Sequence, residues 1–359
     1  MTDTQILKQT NITAGEYDIY FEDWNTLIHQ IENPTYSQVL VITDENTEKQ
    51  CLHIFFEKID RQLKVISIPP GENNKTLETC QIVYQKMVQK NIDRDSLVVL
   101  VGGGVVGDLG GFCSTTYMRG LPFIYIPTSL LSQVDASIGG KLGVDFKELK
   151  NIIGVFQNPE KVFIFKTFLK TLPAIEVRNG FAEILKHWLI ADKNSFQNAP
   201  TNMEGILHNV VSWVKPSILT KLSITEQDPK EKGLRKILNF GHTIGHAVET
   251  YSLIKNTPLL HGESIAIGMI CESYISYRMN LLSEEEIFQI RHYIITLFGH
   301  HPKWVNDPEM LVDLMYNDKK NRSGKIRFSL LEGIGKAVYN WEVPEDVIYE
   351  CLYFYKQKL

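Results

Sequence analysis

The first half of the chain repeats one pattern: a short run of consecutive apolar residues closed by Gly, Pro or Asp, with a helix-periodic stretch before the next run. Val39-Leu40-Val41-Ile42 closes at Thr43-Asp44, Val65-Ile66-Ser67-Ile68 at Pro69-Pro70-Gly71, Leu97-Val98-Val99-Leu100-Val101 at Gly102, and Phe123-Ile124-Tyr125-Ile126 at Pro127-Thr128. A strand with one wet face alternates apolar and polar residues, whereas a strand covered on both faces does not. The pattern therefore predicts a parallel, Rossmann-like α/β sheet with ligands bound where the strands end. Beyond Thr171-Leu172-Pro173 such runs become scarce, and helical patterns joined by polar loops, for example Lys193 to Gly205 and Lys255 to Pro258, take over. At 359 residues the chain is too long for one small core. We expect an α/β domain over residues 1–172 and a mainly α-helical domain over 173–359.

Gly102-Gly103-Gly104-Val105-Val106-Gly107-Asp108 follows the third run and opens a helical pattern, so it satisfies G-x-G-x-x-G. Backbone amides at such a helix start can hold a pyrophosphate. The acidic residue that a dinucleotide-binding unit places about 20 positions on is missing, because that region reads Pro127-Thr128-Ser129. Asp44, at the end of an earlier run, is the candidate for the ribose. A tight strand-to-helix turn without a ligand is the competing reading of this motif.

Glu183, His242, His246 and His261 lie in three helical patterns and offer imidazoles and a carboxylate to one divalent metal. His242 and His246 sit at i, i+4 on one helix face, each preceded by a glycine, Gly241 and Gly245. Glu183 lies on an otherwise apolar face in Ala182-Glu183-Ile184-Leu185-Lys186, where a buried carboxylate needs a compensating charge. Two His and one Glu make a common catalytic zinc set that leaves room for substrate oxygens. His187, one turn after Glu183, is set aside because Trp188 and Leu189 mark a packed surface.

Cations recur beside these elements: Lys141 after Gly139-Gly140, Lys150 before Asn151, Lys186 after Glu183, Lys221 and Arg235 ahead of His242, and Lys319-Lys320 late in the chain. Each lysine alone reads as a solvated surface residue. Together they suit a substrate with two acidic groups, such as a phosphate and a carboxylate.

The formal net charge is −5, and no basic stripe with interleaved aromatics occurs, which argues against a nucleic-acid partner. No apolar run approaches the roughly 20 residues that span a bilayer, and Met1 to Gln9 lacks the apolar core of a signal peptide. No membrane partner and a cytoplasmic location are expected. Five scattered cysteines without a C-x-x-C spacing point away from a disulfide framework.

Taken in order, PPGENNK (69–75), GGGVVGDLGGF and TYMRG (102–120), PTSLLSQVDASIGGKLGVD (127–145), KNIIGVF (150–156), FAEILKH (181–187), LRKILNFGHTIGHAVE (234–249), HGESIAIGM (261–269) and DKKNRSGKIRF (318–328) resemble the 3-dehydroquinate synthase family of sugar-phosphate cyclases. The resemblance covers nearly the whole chain. It implies a dehydroquinate synthase-like fold, an NAD-binding α/β domain followed by a helical metal-binding domain, in a homodimer.

The resemblance further implies that Glu183, His242 and His261 bind Zn2+ or Co2+, while His246 lines the substrate pocket as a candidate proton carrier. Implied substrate contacts are Asp135, Lys141, Asn151, Lys186, Lys221, Arg235, Asn239 and one or both of Lys319 and Lys320, with Arg119 donated to a neighbouring subunit. Implied NAD contacts are Asp44, Glu72, Lys75, Gly103, Gly104, Val105, Asp108, Thr128, Ser129, Lys141 and Lys150. Three positions depart from the family pattern: Ser129 replaces a second Thr, Leu142 a Thr after the lysine, and Leu149 the Gly before Lys150-Asn151. Leu142 and Leu149 remove polar or flexible character near the expected phosphate pocket.

The implied reaction converts 3-deoxy-D-arabino-heptulosonate 7-phosphate, a sugar-acid phosphate, to 3-dehydroquinate and phosphate on the shikimate route. Its steps are transient NAD-dependent oxidation, β-elimination, reduction, ring opening and aldol closure. Two other readings share parts of the pattern. A metal-dependent polyol dehydrogenase has the glycine loop and a His-rich site but no need of cations for two anionic ends. A sister cyclase resembling 2-deoxy-scyllo-inosose synthase takes substrates without the carboxylate that Lys221 and Arg235 suit.

Overall fold

The computed structural model describes residues 11–147, 149–316 and 326–357, in two compact units that divide between Val177 and Arg178. In the first unit each expected run is a strand. The order is β1 (Asn11–Ala14), β2 (Tyr17–Phe21), α1 (Trp24–Ile31), β3 (Val39–Asp44), α2 (Glu45–Phe56), β4 (Lys64–Ile68), α3 (Leu77–Gln89), β5 (Leu97–Gly102), α4 (Gly104–Thr116), β6 (Phe123–Pro127), a hairpin of β7 (Lys141–Phe146) and β8 (Leu149–Phe156), and β9 (Lys161–Ile164). The main sheet runs β1-β2-β9-β6-β5-β3-β4 and is parallel except at the β1–β2 edge.

Val39, Val41, Val99, Val101, Ile124 and Ile126 pack with Leu27, Leu52, Phe55, Phe163 and Phe165 in one apolar layer. Their strand neighbours Leu40, Ile42, Val98 and Leu100, which point the opposite way, are equally closed to water. A sheet covered on both faces is what the unbroken apolar runs demand. Helix α4 lies so near this sheet that a Cβ on Gly110 would stand 2.8 Å from Leu100.

The second unit is mainly helical, as expected: α5 (Ala174–Ala191, which begins just before the division), α6 (Lys193–Gln197), α7 (Met203–Thr225), α8 (His242–Ile254), α9 (His261–Arg278), α10 (Glu284–Phe298), α11 (Pro308–Tyr316) and α12 (Glu345–Lys356), with one hairpin of β10 (Arg327–Leu331) and β11 (Ala337–Glu342). The stretch Lys193 to Gly205 is not a loop throughout. Asp192 caps α6 by accepting from Ser195 N at 3.0 Å, and Asn202 caps α7 by accepting from Gly205 N at 2.8 Å. Polar capping residues made two helix starts look like one loop.

Helices α8 and α9 press together through glycine. A Cβ on Gly268 would fall 1.9 Å from Gly241 O, and one on Gly245 2.8 Å from Ile265. All five cysteines are buried thiols outside any disulfide. Among the described residues no helix is long and apolar enough to cross a membrane.

Candidate active site

Three helices of the second unit bring Glu183, His242 and His261 together. Glu183 lies mid-way along α5, and the two histidines are the first residues of α8 and α9. Their donor atoms all lie within 4.8 Å of one another. Glu183 Oε1 stands 3.5 Å from His242 Nε2 and 3.6 Å from His261 Nε2. That oxygen is buried and, among the described residues, has no hydrogen-bond partner, while Oε2 takes the Lys186 ammonium. An orphaned buried carboxylate oxygen is costly unless a cation completes it. Tetrahedral ligands at zinc distances lie about 3.4 Å from one another, so this donor set fits a divalent ion.

The surroundings tune each ligand. Burial opposes ionisation of Glu183, but the Lys186 ammonium and the nearby His261 outweigh it and hold the carboxyl well below its usual range. Burial likewise pulls His261 down, and Glu183 together with Glu249 more than reverses this, raising it to about 9. The second of these acids faces His261 Nδ1 through its Oε2 at 3.5 Å. His242 Nδ1 stands 3.0 Å from Phe240 O. A carbonyl only accepts, so Nδ1 carries the proton and the Nε2 lone pair faces the site.

His246 comes close but not into the same set. Its ring centre is 5.2 Å from that of His242, and with Glu249 and His261 it forms a second grouping within 4.8 Å. Three of the expected cations, those of the second unit that the structure describes, are buried rather than solvated: Lys186 at 1 %, Arg235 at 2 % and Lys221 at 7 % exposure. Arg235 lies in the 3-10 helix Leu234–Asn239, whose start is wound around Asp228, which accepts from Gly233 N at 2.6 Å, Lys232 N at 2.9 Å and Arg235 N at 3.1 Å. Its guanidinium donates to Pro229 O at 2.7 Å, and Asn239 donates to Glu231 at 2.6 Å. Lys319 and Lys320 lie outside the described residues.

In the first unit the glycine loop joins β5 to α4 as expected. A Cβ on Gly102 would meet Val106 at 2.5 Å, and one on Gly107 would meet the Tyr125 hydroxyl at 2.4 Å. That hydroxyl donates to Gly103 O at 2.9 Å, and Thr128 N donates to Gly102 O at 3.0 Å. Gly103 caps α4 without a side chain, so the amides of Gly104 and Val105 are not spent on one. Ser129 Oγ lies 3.5 Å from where a Gly103 Cβ would be. The cradle is small and has helix-start amides with no capping side chain, which fits a pyrophosphate.

Beside it Lys75, 4 % exposed, gathers three carboxylates: Glu72 at 2.7 Å, Asp108 at 3.5 Å and Asp145 at 3.9 Å. Lys150 adds a contact to Glu72 at 3.6 Å. Burial pushes Asp108 up to about 6 despite Lys75. Asp44 caps α2, accepting from Asn46 N and Thr47 N, both at 2.9 Å. Asp135 lies in the short Ser132–Ala136 turn, Lys141 opens β7 exposed, and exposed Asn151 has φ +49 and donates its N–H to Asp145 at 2.7 Å.

Arg119 is exposed with φ +73, after Met118 at φ +49. Consecutive left-handed residues without glycine cost about 1–3 kcal/mol each. Leu142 points at α4, where a Gly111 Cβ would meet it at 2.5 Å. The departure from threonine there is a packing residue. Nothing in the structure explains Leu149.

Four residues of this architecture escape a sequence reading. Glu249 had a signal, since it lies three residues after His246 on the same helix face. Asp145, Asn179 and Glu272 had none, because Lys75, Gly262 and the Gly241–Ile244 turn that they respectively contact are distant in the chain. Asn179, one turn before Glu183, accepts from Gly262 N at 2.6 Å and so ties the start of α9 to α5.

A family model described as the N-terminal part of 3-dehydroquinate synthase matches residues 65–179, and one for its C-terminal part matches residues 180–321. A 3-dehydroquinate synthase of Ruminiclostridium cellulolyticum is 41 % identical over 309 residues, covering 84 % of this chain and 85 % of the relative. Two solved structures share the fold. One is a 2-epi-5-epi-valiolone synthase from Streptomyces hygroscopicus subsp. jinggangensis with NAD+ and Zn2+ bound, at TM-score 0.82 and 27 % identity, covering 96 % of this chain and 98 % of that one. The other is a 2-deoxy-scyllo-inosose synthase complexed with carbaglucose-6-phosphate, NAD+ and Co2+, at TM-score 0.82 and 24 % identity, covering 95 % and 98 %. The mixed parallel sheet, the helical second unit and these matches agree: the chain belongs to the 3-dehydroquinate synthase family.

Proposed function

We propose that this chain converts 3-deoxy-D-arabino-heptulosonate 7-phosphate to 3-dehydroquinate and phosphate, as an NAD- and divalent-metal-dependent carbon–oxygen lyase of the shikimate pathway. The observation that carries the reading is the buried, hydrogen-bond-deficient Glu183 Oε1 facing two imidazoles. When bound, NAD supplies a reversible oxidation at a hydroxylated carbon, and Zn2+ or Co2+ supplies Lewis acidity to the adjacent hydroxyls.

Glu183, His242 and His261 hold the metal in this reading. Gly103, Gly104 and Val105 hold the cofactor pyrophosphate with their amides, Asp44 its ribose, and Glu72, Lys75, Asp108, Thr128, Ser129 and Lys150 the remainder. In this reading Arg235 and Lys221, both cations and both buried, hold the substrate carboxylate. Asn239 and Lys186 orient hydroxyls, and His246 moves a proton near neutral pH. In the first unit Asp135, Lys141 and Asn151 serve the substrate and its phosphate, with Lys319 or Lys320 joining them. The working form is a cytoplasmic homodimer in which exposed, strained Arg119 reaches a partner's site.

The test is substrate choice. With NAD+ and Zn2+, phosphate release from the heptulosonate phosphate should exceed release from glucose 6-phosphate or sedoheptulose 7-phosphate by orders of magnitude, because only the first carries the carboxylate assigned here to Arg235 and Lys221. Faster release from either of the others would overturn the assignment in favour of a sister cyclase.

A further inference from the structure

Helix α8 begins on a proposed metal ligand but does not cap itself. Its N-cap residue, Gly241, has φ +79 and no side chain. No larger residue fits, since a Cβ there would lie 2.6 Å from Met269 and 3.2 Å from Ile265 O. The capping is supplied instead by Glu272 of α9, which is 0 % exposed. Its Oε2 accepts from Gly241 N at 2.7 Å and its Oε1 from Ile244 N at 3.0 Å.

In an ordinary capping box an N-cap side chain serves the N3 amide, and an N3 Glu serves the N-cap amide. Here one carboxyl from a neighbouring helix does both. His242 lies between the two amides it holds, so the position and tilt of that residue are set by Glu272. We infer that Glu272 is a positioning residue that fixes the His242 imidazole toward the metal. The inference rests on the proposed metal reading and goes beyond it to a residue that touches no ligand.

The experiment measures Zn2+ and Co2+ affinity of the full chain by competition with a chromophoric chelator, together with the Co2+ absorption spectrum. Failure of the parent chain to bind either ion would sink the metal reading itself. Given a binding parent, Glu272→Gln places an NH2 against a backbone N–H, and Glu272→Asp reaches only one of the two amides. Both should bind about tenfold or more weakly, in the range found for other outer partners of metal ligands, with altered Co2+ bands.

Ser283→Ala is the control. It removes the α10 cap, which accepts from Glu286 N at 3.2 Å, and should lower the melting temperature while leaving metal affinity alone. Parent-like affinity and Co2+ spectra in both Glu272 variants would overturn the inference. Should neither variant fold, hydrogen exchange on the parent decides it. Slower exchange at residues 241–245 on adding Zn2+ supports the coupling, and unchanged exchange there overturns it.

Discussion

Lys186 pairs with the Glu183 carboxylate one helical turn earlier, and both side chains are closed to solvent at 1 % and 0 % exposure. The pair leaves the other carboxylate oxygen facing His242 and His261, so under the proposed metal reading two cations share a single anion. Glu183→Gln should therefore do double damage. It should abolish stable metal binding, read by elemental analysis after dialysis, and strand a buried ammonium at about 3–5 kcal/mol, read by urea unfolding. Stoichiometric metal in a stable variant would contradict this arrangement.

The lysine at 75 neutralises more than one neighbour. Replacing it by methionine leaves Glu72, Asp108 and Asp145 facing one another without the central cation. We expect Lys75→Met to lose about 3–5 kcal/mol in urea unfolding at pH 7, and less at pH 5, where carboxyls begin to take protons. A variant as stable as the parent at pH 7 would show that the cluster is solvated.

Asp108 gives a pH dependence of definite sign. Its folded value of about 6 lies above the ordinary carboxyl range because burial disfavours the charge. A raised value means that its stabilising contribution is complete below about pH 4 and is lost as pH rises through 6, at most about 3 kcal/mol. Without NAD, the parent should lose stability between pH 4 and pH 7 relative to Asp108→Asn. Parallel curves for the two chains would refute the assignment.

Gly268 is a contact point rather than a hinge. Its absent side chain admits Gly241 O at 1.9 Å and Gly245 N at 2.7 Å from the Cβ position, both of them backbone. Gly268→Ala must push α8 off α9, which we expect to cost about 3 kcal/mol or more and to weaken metal binding through His242. Melting and metal content measured together test this, and an unperturbed variant would rule out the close packing.

Arg119 makes the partner claim testable by mixing. Arg119→Ala and Glu183→Gln should each be inactive alone, and co-refolded chains should regain part of the activity, since one mixed site keeps both residues. No recovery in a demonstrated mixed dimer would place Arg119 outside the neighbour's site.

The sheet was readable because strands buried on both faces leave unbroken apolar runs, and the glycine loop because its residues cannot carry side chains where Val106 and Tyr125 stand. The cluster of Glu183 with histidines from two other helices was readable in kind but not in choice. His242 and His246 share a helix face, and spacing alone admits either. Lys186 and Lys221 read singly as solvated, yet both are buried, because a lysine's burial is set by the helices that pack around it and not by its own stretch of sequence. Glu272 was invisible for the same reason: its role exists only once two helices have met through Gly241 and Gly268.

The most direct measurement follows phosphate and NADH together as the chain acts on 3-deoxy-D-arabino-heptulosonate 7-phosphate with NAD+ and Zn2+. A recycled cofactor predicts one phosphate per substrate, no accumulated NADH, and loss of both substrate and product signals' change on adding a chelator. Accumulating NADH without phosphate would contradict the account and mark a metal-dependent polyol dehydrogenase.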